Sequence, residues 1–178
     1  MKCSYSIYML AMTLTSNVYA GTFDIKIGKI SLPDEFLARP GTPAVVHGST
    51  VYSFINNKNA RLSTTALGVM IFNYKKQSPE IGDESDKSAA TSCLQDTITA
   101  MNKSFPAKAV QPYSKSSIGN HFAMEAVVDS KLGKKKMFID IRCMKYKDFL
   151  VTVTVTEFNK NTYLGLLGKK VTEIKLHR

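Results

Sequence analysis

The stretch NHFAMEAVVDSKLGKKKMFIDIRCMKYKDFLVTVTVTEF, residues 120–158, reads as three consecutive antiparallel strands and decides the fold. In its last part Val151, Val153 and Val155 alternate with Thr152, Thr154 and Thr156, a period of two that puts every valine on one face and every threonine on the other. The valine face is expected to be dry and the threonine face wet. In the preceding strand, Lys136 to Tyr146, the residues Met137, Ile139, Ile141 and Cys143 share a face while Asp140 and Arg142 point the other way. His121 to Asp129 forms the first strand, the turn-prone Asp129-Ser130-Lys131-Leu132-Gly133 follows it, and Lys145-Tyr146-Lys147-Asp148 closes the second hairpin. A sheet with one apolar face needs a cover, normally helices.

That cover is predicted over about 88–105. Ser88 can cap its start, the acidic residues before it suit the helix dipole, Ala90, Leu94, Ile98, Met101 and Phe105 recur at helical spacing, and Pro106 ends it. Cys93 flanks the apolar stripe, so the face that covers the sheet carries Cys93 toward Cys143. The third cysteine, Cys3, lies in a leader-like segment: Lys2, an apolar run from Ile7 to Leu14, and Val18-Tyr19-Ala20 before Gly21. Residues 1–20 are thus expected to be a signal peptide and 21–178 a single α+β domain that is secreted or periplasmic. An exported chain left with two cysteines is expected to join Cys93 to Cys143. No segment reaches the length of a transmembrane span.

Earlier in the chain, Thr22 to Ile30 reads as one strand with a bend at Gly28. Arg39-Pro40-Gly41-Thr42-Pro43 is a loop of chain breakers, and Val51 to Ile55 is a strand ending at the polar turn Asn56-Asn57-Lys58-Asn59. The continuous apolar run Ala66 to Tyr74 predicts a central strand buried on both faces. Residues 75–87 form a polar connection. Val110 to Tyr113 reads as a short strand and Ser114 to Gly119 as a flexible turn. A short helix is expected over Asn159 to Lys169, with Asn161 or Thr162 as its cap and Gly168 as its stop. Residues 171–176 fit either a strand or a continued helix.

This order of elements, with Phe23-Asp24-Ile25, Leu32-Pro33-Asp34-Glu35-Phe36 and a terminal Tyr163-Leu164-Gly165-Leu166-Leu167, resembles the Mog1/PsbP-like fold, including the DcrB-like envelope proteins. The resemblance implies a non-catalytic binding or assembly module. It transfers no site residues, and the expected disulfide does not follow from the resemblance.

Charge is the main functional signal. The formal charge is +10, and loss of Lys2 with the leader leaves +9. Lys131, Lys134, Lys135, Lys136, Lys145 and Lys147 gather at the two turns of the sheet and are the candidate anion- or partner-binding residues. Lysines at turns and edges also keep a sheet soluble and block edge pairing. The opposing acidic group, Glu80, Asp83, Glu84 and Asp86, lacks calcium-loop spacing and reads as a solvated loop. Cys93 and Cys143 lack zinc-ligand spacing, no cofactor is implied, and export argues against nucleic acid as a partner.

A hydrolase using Ser49 with His47 is the competing enzymatic reading; it lacks a third orienting group and a Gly-x-Ser-x-Gly turn. The sequence therefore points to a non-enzymatic secreted or periplasmic protein that binds a protein partner or an anionic envelope component. A periplasmic immunity protein against an antibacterial toxin is one specific form of it.

Overall fold

The computed structural model describes residues 21–56, 65–110, 113–158 and 164–177. The leader-like residues 1–20, Asn57 to Asn59 of the polar turn, and the proposed caps Asn161 and Thr162 lie outside them. In chain order the described elements are β1 (Thr22–Ile25), β2 (Gly28–Ser31), β3 (Phe36–Ala38), β4 (Ala44–Val46), β5 (Ser49–Asn56) and β6 (Thr65–Asn73). The one-turn helix α1 (Tyr74–Gln77), a 3-10 turn over Pro79–Asp83 and α2 (Asp86–Asn102) follow. The chain continues with β7 (Ala107–Ala109), β8 (Ser114–Ile118), β9 (His121–Leu132), β10 (Lys135–Tyr146), β11 (Phe149–Phe158), α3 (Leu164–Thr172) and β12 (Lys175–Leu176).

One large sheet in the order β3-β5-β6-β11-β10-β9-β7 dominates, with β4 pairing β5 and β8 pairing β9; every pairing is antiparallel. The meander of 120–158 forms as read, with Tyr146 opposite Phe149 and Cys143 opposite Thr152. That register sets Cys143 on the threonine face and Asp140 and Arg142 on the valine face, since residues opposite one another share a face.

Both faces are covered, which corrects the expectation of one dry and one wet face. α2 lies on the face of Cys143, where Ala90, Cys93, Leu94 and Ile98 pack against Met124, Ala126, Val128, Ile139 and Ile141. Each fully buried aliphatic side chain there contributes roughly 1.5–3 kcal/mol. On the opposite face Val69, Ile71, Val151, Val153 and Val155 meet Leu167, Val171 and Ile174 of the α3 region and Ile25, Ile27 and Ile30 of the first hairpin. Thr152 is buried at 4% exposure because it sits beneath the sulfur bridge, with its hydroxyl 3.3 Å from Cys93 Sγ and 3.5 Å from Cys143 Sγ. Cys93 and Cys143 are disulfide-bonded with their Cα atoms 6.0 Å apart, so α2 is pinned to the central strand it covers.

Further local expectations change. Thr22 to Ile30 is a hairpin, β1–β2, and not one bent strand. Gly28 is required because β12 pairs beside it so closely that any Cβ would overlap the Lys175 carbonyl. Together β1, β2 and β12 make a second, three-stranded sheet.

β6 alternates between buried and half-buried residues and is not enclosed on both sides. α2 stops short of it, leaving a shallow depression of about 260 Å³ lined in part by Val51, Met70, Met101 and Thr154. The cap of α2 is Ser85, whose hydroxyl accepts from the Ser88 amide, and the helix ends at Asn102, before Pro106. Val110 is not in a strand; β7 lies just before it and the Ser114-to-Gly119 segment is mostly β8, held as an edge by β9. α3 runs past Gly168 to Thr172, and the undecided 171–176 segment divides between the end of α3 and β12.

Candidate anion-binding surfaces

Gly133, at φ 62, turns β9 into β10 with open space around it, and so projects the hairpin tip into solvent. The register places Lys131 directly opposite Lys136, and Lys134 and Lys135 complete the tip; all four are exposed. Like charges directly across a strand pair destabilise it, by up to roughly 1 kcal/mol. β7 adds a fifth cation, Lys108, opposite Asp129. None of these five lysines forms an ion pair among the described residues. A groove of about 410 Å³ runs between this tip and the exit of α2, with Lys108, Lys131 and Lys136 on one side and Asn102 and Pro106 on the other. Its floor is fastened by Ser130 Oγ donating to the Pro106 carbonyl and by Asn102 Oδ1 accepting from the Ala107 amide at 2.8 Å. Lys108 was not among the residues singled out from sequence; its signal was obscured because β7 is short and out of register with the expected strand.

Lys145 and Lys147 lie at the opposite end of β10. Between Lys136 and Lys145 the strand advances by nine residues, or roughly 30 Å, so the six sequence-selected lysines occupy two separate ends of the sheet. Lys145 is engaged internally: its Nζ donates to the Gly82 and Glu84 carbonyls at 2.7 Å each and fastens the acidic 3-10 turn to the sheet. Lys147 occupies the tight turn at φ 51, with its Nζ 5.4 Å from the centre of the Tyr146 ring and 3.4 Å from the His177 carbonyl.

The valine face holds a charged group, on the side of β10 opposite Cys143 as alternation requires, but buried. Asp140 and Arg142, at 5% and 8% exposure, are buried beneath α3. Arg142 Nη2 donates to Asp140 Oδ2 at 3.1 Å, Nη1 donates to the Gly168 carbonyl at 3.0 Å, and Nε faces Glu125 Oε2 at 3.6 Å. Among the described residues Asp140 Oδ1 and Arg142 Nε have no hydrogen-bond partner. Burial raises the Asp140 carboxyl to about 6; Arg142 opposes that rise and Glu125 reinforces it. Gly168 lets α3 seat here: a Cβ would lie 2.8 Å from Arg142 Nη2 and 3.3 Å from Asp140 Oδ2. The group anchors the helix and opens to no cavity among those described.

His47 sits at φ 46 in the exposed β4–β5 turn, while Ser49, two residues on, is only 3% exposed in β5. An enclosed hydroxyl beside an exposed imidazole offers a substrate no approach to the oxygen. Among the described residues no group of three or more His, Cys, Asp or Glu side chains could hold a metal ion. In the acidic segment Glu84 instead accepts from Ser88 Oγ at 2.9 Å. No described helix is long and apolar enough to cross a membrane.

No family model matches the sequence, and no curated protein matches it. Solved structures do match by shape. The cyanobacterial PsbP of Synechocystis sp. PCC 6803 superposes with a TM-score of 0.58 at 12% identity, over 93% of this chain and 98% of that one. A protein from Bacteroides thetaiotaomicron VPI-5482 gives a TM-score of 0.58 at 13% identity over 89% of this chain; the match spans about half, 49%, of its length. The Saccharomyces cerevisiae Ran-binding protein Mog1p overlaps more loosely, with a TM-score of 0.48 at 16% identity, over 80% of this chain and 77% of that one. The chain therefore has the Mog1/PsbP-like fold expected from its element order, and these identities establish the fold alone.

Proposed function

We propose that this chain is an exported, non-catalytic binding protein that docks on an anionic envelope surface through the β9–β10 hairpin end. The observation that carries this reading is the tip itself: five exposed lysines, two of them directly opposed, with Asp129 as the local acid and no ion pairs among them. Concentrating repelling charge on a projecting turn is unfavourable within the fold and becomes favourable when an array of phosphates faces it. The buried disulfide and the leader-like first twenty residues support export. A diffuse lysine cluster beside a shallow groove suits a charged surface better than a reaction that demands fixed donors.

The test is co-sedimentation of residues 21–178 with vesicles of phosphatidylglycerol or of phosphatidylcholine, at low and high salt. Each lysine near an anionic surface is worth roughly 1 kcal/mol, so Lys131→Glu, Lys134→Glu, Lys135→Glu and Lys136→Glu together should weaken binding by roughly a thousandfold or more. Equal binding to both vesicle types, or binding unaffected by the four substitutions, would remove the tip from the mechanism. Binding of an acidic protein but not of vesicles would assign the same tip to a protein partner.

A further inference from the structure

The far end of β10 carries a separate feature. A cleft of about 860 Å³ opens between the β10–β11 turn, the start of β9 and the segment that follows α3. Its volume lies within the range of small-molecule sites, roughly 300–1,000 Å³. Tyr146, Ile174 and Leu176 supply apolar lining, and Lys147, Lys175, His121 and His177 surround it with nitrogen. Two carboxylates also line it, and they are unequal. Glu173 is occupied by Lys170 at 2.9 Å, which holds its carboxyl below the usual range, while Asp86 stands at the start of α2. Lys147 and Lys175 make no ion pair among the described residues.

The cationic rim is built before any ligand arrives. The Tyr146 hydroxyl donates to the His177 carbonyl, Lys147 Nζ donates to the same oxygen, and the His121 ring packs edge-on against Tyr146 at 4.8 Å. The Tyr74 hydroxyl meanwhile donates to the Lys147 carbonyl and fixes the turn. Lys147 sits at the left-handed first position of a two-residue hairpin, where asparagine, aspartate or glycine is favoured. A lysine held there against that preference places its ammonium group over the cleft. We propose that this cleft binds a small organic anion, a carboxylate or phosphate ester carrying an apolar body, with Lys147 and Lys175 meeting the anion and Tyr146 and Leu176 the body. This inference does not depend on the hairpin reading, because the two regions lie at opposite ends of the strand.

The experiment is an NMR titration of residues 21–178 with phenyl phosphate and with benzoate, following the imidazole signals of His121 and His177, with inorganic phosphate and benzyl alcohol as controls. Saturable shifts of His121 are expected with the aromatic anions at millimolar concentration and much weaker ones with either control; preference between the two anions identifies the head group. Lys147→Asn, which keeps the left-handed turn, and Lys175→Ala should each weaken binding about fivefold. Lys134→Ala, at the hairpin, should leave it unchanged. Absence of saturable shifts, equal response to benzyl alcohol, or full affinity in both cleft variants would overturn the proposal, whatever the vesicle result.

Discussion

Asp140 gives the sharpest test of the packing on the valine face. The residue is 5% exposed, its carboxyl has one oxygen paired with Arg142 and the other without a partner among the described residues, and Glu125 lies nearby. Burial outweighs the arginine and raises it from 3.8 to about 6. Because the folded value exceeds the unfolded one, the folded state binds the proton more tightly. The associated stability is fully present below about pH 4 and is lost as pH rises through about 6, a swing of roughly 3 kcal/mol. Asp140→Asn keeps the shape and removes the titration. Arg142 then faces a neutral amide at every pH, as it faces the neutral acid at low pH in the wild type, so only the difference between amide and protonated acid enters as a baseline that does not depend on pH. The readout is therefore the stability gap between variant and wild type, measured by urea unfolding with circular dichroism at several values from about pH 4 to pH 7.5, with the disulfide intact. Across that range the gap should move in the variant's favour by roughly 2–2.5 kcal/mol, most of it between about pH 4 and pH 6.5. A constant gap would refute the reasoning, since it would mean the carboxyl does not titrate there.

Two glycines of α3 provide an internal comparison. Gly165 has no described atom within 4 Å of an added Cβ, so Gly165→Ala should stabilise by up to about 1 kcal/mol; Gly168→Ala, which pushes on Arg142, should destabilise by about 1–3 kcal/mol, both read from denaturation midpoints. The Cys93–Cys143 bridge closes a separation of 50 residues, and its reduction should lower stability by about 4 kcal/mol; intact mass without reductant should lie two hydrogens below the dithiol form.

The local signals of period two and of helical spacing were sufficient for the meander, for α2 and for the disulfide, because each depends on residues within one element or on a helix laid across its sheet. What they did not carry is which face of the sheet is covered. Asp140 and Arg142 interrupt an apolar strand in the manner of solvent-facing residues, yet α3 closes over them from a distant part of the chain. The threonine face looks wet by composition but lies under α2, where Thr152 touches both sulfurs. The serine-rich β8 has Ile118 as its one strongly strand-forming side chain and takes its shape from β9 alongside it. The lysines expected at the two turns do lie there, and the twelve residues of β10 between the turns separate them into two groups at opposite ends of the sheet.

The pairing of β12 with β2 has a consequence for the order in which the molecule can be completed. As a chain emerges from its N-terminus, β1 and β2 appear first, but their last neighbour is residues 175–176, and the valine layer stays open until α3 follows β11. The α2 side needs nothing beyond β11 and can close earlier, sulfur bridge included. The α2 side of the sheet can thus close before the α3 region is in place, while the other side waits for residues 164–176, a long-range closure of the kind that slows folding.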